Sequence, residues 1–387
     1  MKRNAQILLS AALAAMLVFA ALLPALRTEA AVSINNSINA RAFLLVDAAS
    51  GGAVISENAG EKLPVAGLSR LGALLMICES FDRGEIAPDE GVFVSRAASE
   101  VKGTTAFLRE GEQMRARDLL LAAAMINAGD ATCALAEHIA GGTETAVERI
   151  NARLSELCVD ANFTDICGEG ASLSAMDLAA IGAALIKSPT YREYGSRFYE
   201  KISHFGAGET ELANPNKLIR QYSGCSGVGT GSSKTALYCG VFAAKRGDTE
   251  FIAVVLGAPS AAERFTLGRD LMDKGFSSFR TVRVGTAGEE YGTLRVRGSI
   301  KGSVAAVSKS DTALLMPTSN SACTSETELP EYLEAPVKAG DEIGALIIRN
   351  AEGEIVAKTP LVADADADRA SFIDCVKYVL GIFARRE

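Results

Sequence analysis

At 387 residues, 48% hydrophobic and 22% charged, the chain is long enough to bury more than one sizeable core. A net charge of −8 and no long basic run exclude the electrostatic footprint of a nucleic-acid binder, so no nucleic-acid partner is expected. The sequence has 2 histidines and 8 scattered cysteines, with no C-x-x-C or H-x-x-x-H spacing, which leaves no metal site to propose.

Lys2 and Arg3 precede an apolar run from about Ile7 to Leu26, and Thr28-Glu29-Ala30 puts small residues at a cleavage site. Residues 1–30 read as a signal peptide; an uncleaved membrane anchor is the alternative, and either places the bulk of the chain outside the cytoplasm. Cysteines in an exported chain invite a disulfide framework. Here they stand singly, and Cys78, Cys133 and Cys239 fall in apolar stretches where a thiol packs as a small hydrophobe. Cys158 and Cys167 are the one pair close in sequence.

Phe43-Leu-Leu-Val46 and Ala53-Val-Ile55 flank the turn Asp47 to Gly52, a β-hairpin signal. The chain is organised around residues 62 to 80, K-L-P-V-A-G-L-S-R-L-G-A-L-L-M-I-C-E-S. Pro64 and Gly67 lead into Leu68, Leu71, Leu75 and Cys78 at helical spacing, which predicts a buried helix ending near Gly84. Residues 92 to 112 are polar and broken by Gly103 and Gly111, a loop with short strands. Helix is predicted over Ala116 to Ala136 with a break at Asn127-Ala-Gly129, over Thr143 to Leu157, and over Ser174 to Ile186 with Ser174 as N-cap and Asp177 in its first turn. Ala236 to Ala244 and Phe251 to Leu256 are strand runs joined by the turn Lys245-Arg-Gly-Asp248, and a helix from Arg264 to Lys274 closes the region. Helices bracketed by strands predict an α/β fold with a mixed or antiparallel sheet. No Gly-rich phosphate loop accompanies them, which counts against a nucleotide-binding fold.

From Tyr291 short strands (Leu294–Arg297, Ser303–Val307, Thr312–Met316, Ala345–Ile348, Glu354–Ala357) alternate with turn signals such as Asn350-Ala-Glu-Gly353, which predicts a small all-β domain. In the tail, Phe372, Val376, Val379 and Phe383 form an apolar stripe along Ala370 to Ala384, with Arg385 and Arg386 after it. Fifteen helical residues span about 22 Å, too short for a bilayer. The segment therefore reads as a helix lying on a membrane surface, or alternatively as one docked on the body of the protein.

Several phrases resemble the D-alanyl-D-alanine carboxypeptidases, serine-type low-molecular-mass penicillin-binding proteins. They include A-R-A-F-L-L-V-D-A-A-S-G (40–51), E-N-A-G-E-K-L-P-V-A (57–66), R-E-G-E-Q-M-R-A-R-D-L-L (109–120), A-L-A-E-H-I-A-G (134–141), F-I-A-V-V-L-G-A (251–258) and L-E-A-P-V-K-A-G-D-E-I-G (333–344). The resemblance implies a penicillin-binding/β-lactamase-like domain over 36–282, with an antiparallel sheet flanked by helices. It further implies a small β domain over 289–362 and an amphipathic, membrane-associating helix over 369–387. Such proteins need no cofactor and remove the terminal D-Ala of peptidoglycan stem peptides through an acyl-serine. The peptidoglycan stem peptide, or a cell-wall enzyme, is the implied partner, met at the outer face of the cytoplasmic membrane.

The residues that would carry that chemistry are altered here. Where the family's Ser-x-x-Lys motif belongs stand Gly67 and Arg70. Glycine has no nucleophile, and a guanidinium stays protonated and cannot act as the base. The second motif, Ser-x-Asn, aligns to Asn127-Ala128-Gly129, or, with the frame shifted by two, to Met125-Ile126-Asn127; neither register supplies a serine. The third, Lys-Thr-Gly, reads Gly229-Thr230-Gly231, with Lys234 five residues late in a turn. Thr230 and Gly231 remain as ligand-binding candidates. Arg264 matches a family arginine for the substrate carboxylate, or is a surface arginine at a helix start. The loop from Phe163 to Ser174 is shorter than its family counterpart. Ser99-Glu-Val-Lys102, Ser69, His138, His204 and the Cys225-Ser226 pair are weak substitutes. The expectation is a family member that has lost acyl transfer and kept binding; a working carboxypeptidase with an unrecognised nucleophile is the alternative.

Overall fold

The computed structural model describes residues 39–204, 208–319 and 322–377, so the signal segment and the expected helix beyond 377, with Val379 and Phe383, lie outside the described residues. Five antiparallel strands form one sheet in the order Ala53–Glu57, Ala42–Asp47, Thr249–Ala258, Leu237–Arg246, Cys225–Ser233. Ala42–Asp47 is buried along its whole length because it is an inner strand covered on both faces. The Asp47 carboxylate closes its hairpin by accepting the Ser50 N–H at 2.9 Å and its hydroxyl at 2.7 Å.

The period-2 alternation of side chains divides this sheet cleanly. Phe242, Phe251 and Leu45 point to one side, where Gly268 and Gly275 of helix Ala261–Ser278 leave room for them. Val241 and Ile252 point to the other, against Gly182 of helix Ala175–Leu185. That helix starts on the expected cap: Ser174 Oγ accepts the Asp177 N–H at 3.1 Å and Asp177 returns the bond to the Ser174 N–H at 2.7 Å. Leu71–Asp82 then packs on that layer. Its residues Leu71 to Cys78 are all buried, so it is the centre of the helical half, surrounded by Ala116–Ile126, Gly129–Ala140 and Thr143–Glu156.

The expected break at Asn127 is a left-handed residue, φ +57°, that ends Ala116–Ile126 and lets Gly129–Ala140 start in a new direction. Residues 92 to 112 depart from the expected loop with short strands by holding a short helix, Arg96–Ser99, capped by Ser95, between the paired strands Gly91–Phe93 and Gln113–Arg115. A short helix at Pro189–Tyr194 and a hairpin of Tyr199–His204 with Gly208–Ala213 have no counterpart in the sequence reading.

The C-terminal part is all β. Six strands lie in the order Thr324–Glu328, Glu342–Arg349, Ile355–Ala363, Ser303–Ser308, Glu290–Arg297, Tyr332–Glu334 over a core of Leu294, Val304, Leu346, Ile348 and Leu361. Thr312–Pro317 pairs instead with Phe279–Gly285, the strand that leads out of the 261–278 helix. Residues 372–377 are helical, with Phe372 84% and Ile373 63% exposed. Among the described residues no helix is long and apolar enough to cross a membrane.

Candidate functional site

Three segments meet at the start of the central helix. The first is the 3-10 turn Ala66–Arg70, the second the Asn127 break, the third the edge strand Cys225–Ser233. The edge strand approaches the turn so closely that a Cβ at Gly231 would lie 3.1 Å from the Val65 carbonyl oxygen and 3.3 Å from the Gly67 nitrogen. Glycine at 231 is therefore a packing requirement of this crossing.

A Cβ at Gly67 would point to 3.4 Å from Asn127 Nδ2 and 3.6 Å from Arg70 Nη1. Residues 67, 70 and 127 thus share one small volume, although nothing nucleophilic stands in it. Asn127 Nδ2 donates to the Gly67 carbonyl, while its Oδ1 is buried without a partner. Arg70 fills the rest. Its guanidinium donates to the backbone carbonyls of Asn127 at 3.0 Å, Lys102 at 2.9 Å and Thr104 at 3.4 Å. A planar fork with five donors suits three converging carbonyls, a geometry that an ammonium would satisfy less completely. The 102–104 segment that presents two of them is held from behind by Asp130. That buried carboxylate accepts the N–H of Ala106 at 2.9 Å and of Leu108 at 3.1 Å.

Position 129 is tied to the same guanidinium. A Cβ at Gly129 would fall 2.6 Å from Val101 Cγ1 and 3.0 Å from Arg70 Cζ, closer than packed carbon atoms come. Gly229 is different: a Cβ there would meet Leu68 and Leu71 at 3.4 Å, ordinary contact over the apolar floor. Lys234 is exposed in the turn after the edge strand.

Arg264 lies at the far end of the strand and is buried, which removes the alternative of a surface arginine. It stacks on the rings of Phe265 and Tyr238 and donates to the carbonyls of Gly231 at 3.3 Å and Cys239 at 3.1 Å. Its Nε is buried without a partner, and it makes no ion pair among the described residues. Burial lowers its pKa to about 10. This is a cation without its anion, beside Thr230 and Gly231.

Apart from Ser226, whose buried Oγ has no hydrogen-bond partner, the substitute nucleophiles are otherwise engaged. Ser69 Oγ donates to the Cys167 carbonyl at 2.7 Å and is buried. Ser99 ends the Arg96–Ser99 helix and donates to the Arg96 carbonyl, while the Lys102 carbonyl is committed to Arg70. His138 pairs with Glu90 and His204 with Glu112, each at 2.7 Å, and neither hydrogen-bonds a serine. Burial pushes the Cys225 thiol up to about 11, away from reactivity. The sequence reading missed one neighbour of the site altogether. Cys167 lies against Cys133, with a sulfur–sulfur distance of 3.4 Å, whereas Cys158 is exposed.

Residues 28–260 match the family model described as D-alanyl-D-alanine carboxypeptidase, and residues 279–369 match that of the penicillin-binding protein 5 C-terminal domain. The chain is 27% identical over 348 residues to the D-alanyl-D-alanine carboxypeptidase DacF of Bacillus subtilis (strain 168), covering 88% of this chain and 89% of that protein. It is 28% identical over 346 residues to DacD of Salmonella typhimurium, covering 84% and 86%. Among solved structures, penicillin binding protein 5 from Haemophilus influenzae superposes with a TM-score of 0.76 at 25% identity, over 87% of this chain and 100% of that one.

Proposed function

The chain belongs to the D-alanyl-D-alanine carboxypeptidase family, and from that membership we propose that it is an exported protein of peptidoglycan metabolism that binds stem peptides without hydrolysing them. One observation carries this reading. The volume where the family's nucleophile and base would meet contains the bare Cα of Gly67 and the guanidinium of Arg70, which is committed to three backbone carbonyls. No lone pair is available there for attack on a carbonyl carbon, and no neutral amine to take the proton. Removing the nucleophile from a serine hydrolase costs about 10⁶ in kcat, so positioning groups alone sustain little turnover.

Binding has separate support. Thr230, Gly231 and Arg264 form one ledge along the edge strand, and Arg264 is a buried cation lacking a carboxylate. The terminal carboxylate of a D-Ala-D-Ala peptide is the anion it suits. Export is supported by the N-terminal apolar run, and membrane-surface attachment by the exposed Phe372, Ile373 and Val376 on one short helix.

A fluorescent penicillin tests the catalytic half. No covalent band is expected on the purified protein, and an acyl group found on any side chain by mass spectrometry overturns the reading. Titration calorimetry with a D-Ala-D-Ala peptide tests the binding half. Heat is expected from the wild type, and weaker binding from Arg264→Ala. An absence of heat from the wild type would sink that half.

A further inference from the structure

We propose that Cys133 and Cys167 form a redox couple whose disulfide bolts the 163–174 loop to the 129–140 helix, directly beside Arg70. The two sulfurs are 3.4 Å apart, and closure to the S–S bond length of about 2.04 Å is within reach of small side-chain rotations. They come from elements 34 residues apart in sequence, so the contact is made by the fold and not by chain proximity. Both side chains are buried, Cys133 at 7% and Cys167 at 8% exposure. No other sulfur pair is in contact among the described residues: Cys78 and Cys239 are buried alone, and Cys158 and Cys375 are exposed.

The placement gives the bond a consequence. Cys133 is four residues after Gly129, on the helix face that Gly129 presents to Arg70. Cys167 lies in the loop whose carbonyl receives the Ser69 hydroxyl at 2.7 Å, and its sulfur approaches the Gly129 carbonyl. In the dithiol form that loop is also held by Asn151, which exchanges two hydrogen bonds of 2.8 Å with the backbone of Phe163. A disulfide adds a covalent tie at the groove end of the same loop.

Either sulfur can donate the hydrogen bond between them, and the exchange balances from either one, here from Cys167. Cys167 thiolate attacks a small disulfide oxidant, R–S–S–R, and expels one R–S⁻. Cys133 then gives up its proton and attacks the mixed disulfide at the Cys167 sulfur, expelling the second. The chain loses two protons and two electrons, and the oxidant leaves as two R–SH. Because the docked pair is nearly inaccessible, the exchange takes place as the loop closes during folding.

The test refolds the full chain from denaturant in oxidised glutathione, alkylates it in denaturant, and cleaves it at Arg149 and Arg153, which separates Cys133 from Cys158, and at Asp160 and Asp165, which separates Cys158 from Cys167. A peptide joining Cys133 to Cys167 is expected, with both sulfurs alkylated after reduction. In melting experiments the oxidised wild type should lose about 5–10 °C when a reductant is added, and Cys133→Ser should show no reductant-dependent shift. Full alkylation of both residues after oxidation, or Cys167 joined to Cys158, overturns the proposal. The peptide map needs only the wild type, so it decides the matter even where Cys133→Ser folds poorly.

Discussion

The Gly129 Cα and the Arg70 guanidinium occupy adjoining space, and a double-mutant cycle measures that dependence. In Gly129→Ala the new Cβ meets Arg70 Cζ at 3.0 Å and Val101 Cγ1 at 2.6 Å. Overpacking of this kind costs about 1–3 kcal/mol, offset by up to about 1 kcal/mol from the better helix propensity of alanine. The net expectation is about 1–2 kcal/mol, or a melting temperature lower by about 2–8 °C. Arg70→Lys alone takes the donor from at least one of the carbonyls of Asn127, Lys102 and Thr104, at a cost of about 0.5–1.5 kcal/mol, since two of the three bonds face solvent. In the double variant the slimmer lysine vacates the space the methyl needs, so part of the first cost disappears. A favourable coupling of at least about 0.5 kcal/mol is expected from urea unfolding of the four proteins. Additivity within about 0.3 kcal/mol would refute the claim that Arg70 shares with Val101 the exclusion of a side chain from position 129.

Asp130→Ala should be destabilised by about 3 kcal/mol, because three buried N–H groups, of Ala106, Leu108 and Ala131, lose their acceptor; a loss under about 1 kcal/mol by urea unfolding would contradict this. Asp130→Asn, which keeps one acceptor oxygen, should lose less. Arg83 first, and then Arg149, hold the Glu85 carboxyl at about 2. A depressed carboxylate contributes stability above its unfolded pKa and loses it as pH falls toward the folded one. Glu85→Gln should therefore be less stable than wild type at pH 7 by up to about 1 kcal/mol, after discounting for its exposure, and the gap should close between about pH 4.5 and pH 2. Equal stability of the two proteins at pH 7 would count against the pairing. Gly231→Ala should destabilise the fold by at least about 1 kcal/mol, since its methyl is driven against the Val65 carbonyl and the Gly67 nitrogen, and a neutral result in thermal melting would be inconsistent with that crossing.

The parts of this fold that a linear reading recovers are those where burial imposes a period. Ala42–Asp47, Thr249–Ala258 and Leu71–Asp82 are apolar because both sides of each are covered, and the Asn127 break and the Ser174 cap carry their own side-chain chemistry. The Tyr199–His204 hairpin and the strand Thr324–Glu328 are legible only in three dimensions. The latter, T-S-E-T-E, is exposed at every position and forms because Glu342–Arg349 offers it a free edge. At the site, Gly67 and Gly129 show in sequence what is missing but not what has taken its place. The three acceptors of Arg70 come from positions 102, 104 and 127, and the Cys133–Cys167 contact spans 34 residues, so no local pattern announces either. Arg264 read equally well as a surface residue until the rings of Phe265 and Tyr238 were placed around it.

The geometry also bears on how the altered motifs depend on one another. Had the groove merely lost its reactive atoms, the vacated volume would be open and each missing side chain could be put back alone. Instead the guanidinium of Arg70 donates hydrogen bonds to carbonyls of two loops, and the bare Gly129 leaves room for it. The Cβ of Gly67→Ser meets Asn127 Nδ2 and Arg70 Nη1 at tolerable distances, but the neighbouring guanidinium is a cation that cannot accept the hydroxyl proton. Lysine at 70 supplies that base and at the same time orphans at least one backbone carbonyl unless asparagine returns at 129 to fill the gap. Restoration is thus a cooperative repacking of positions 67, 70 and 129, with lysine at 229 separable because its first carbon meets only Leu68 and Leu71. Penicillin labelling in a stepwise series should accordingly stay absent through each single substitution and emerge only when 67, 70 and 129 change together with Asn127→Ser; labelling of Gly67→Ser alone would show that the guanidinium is no obstacle.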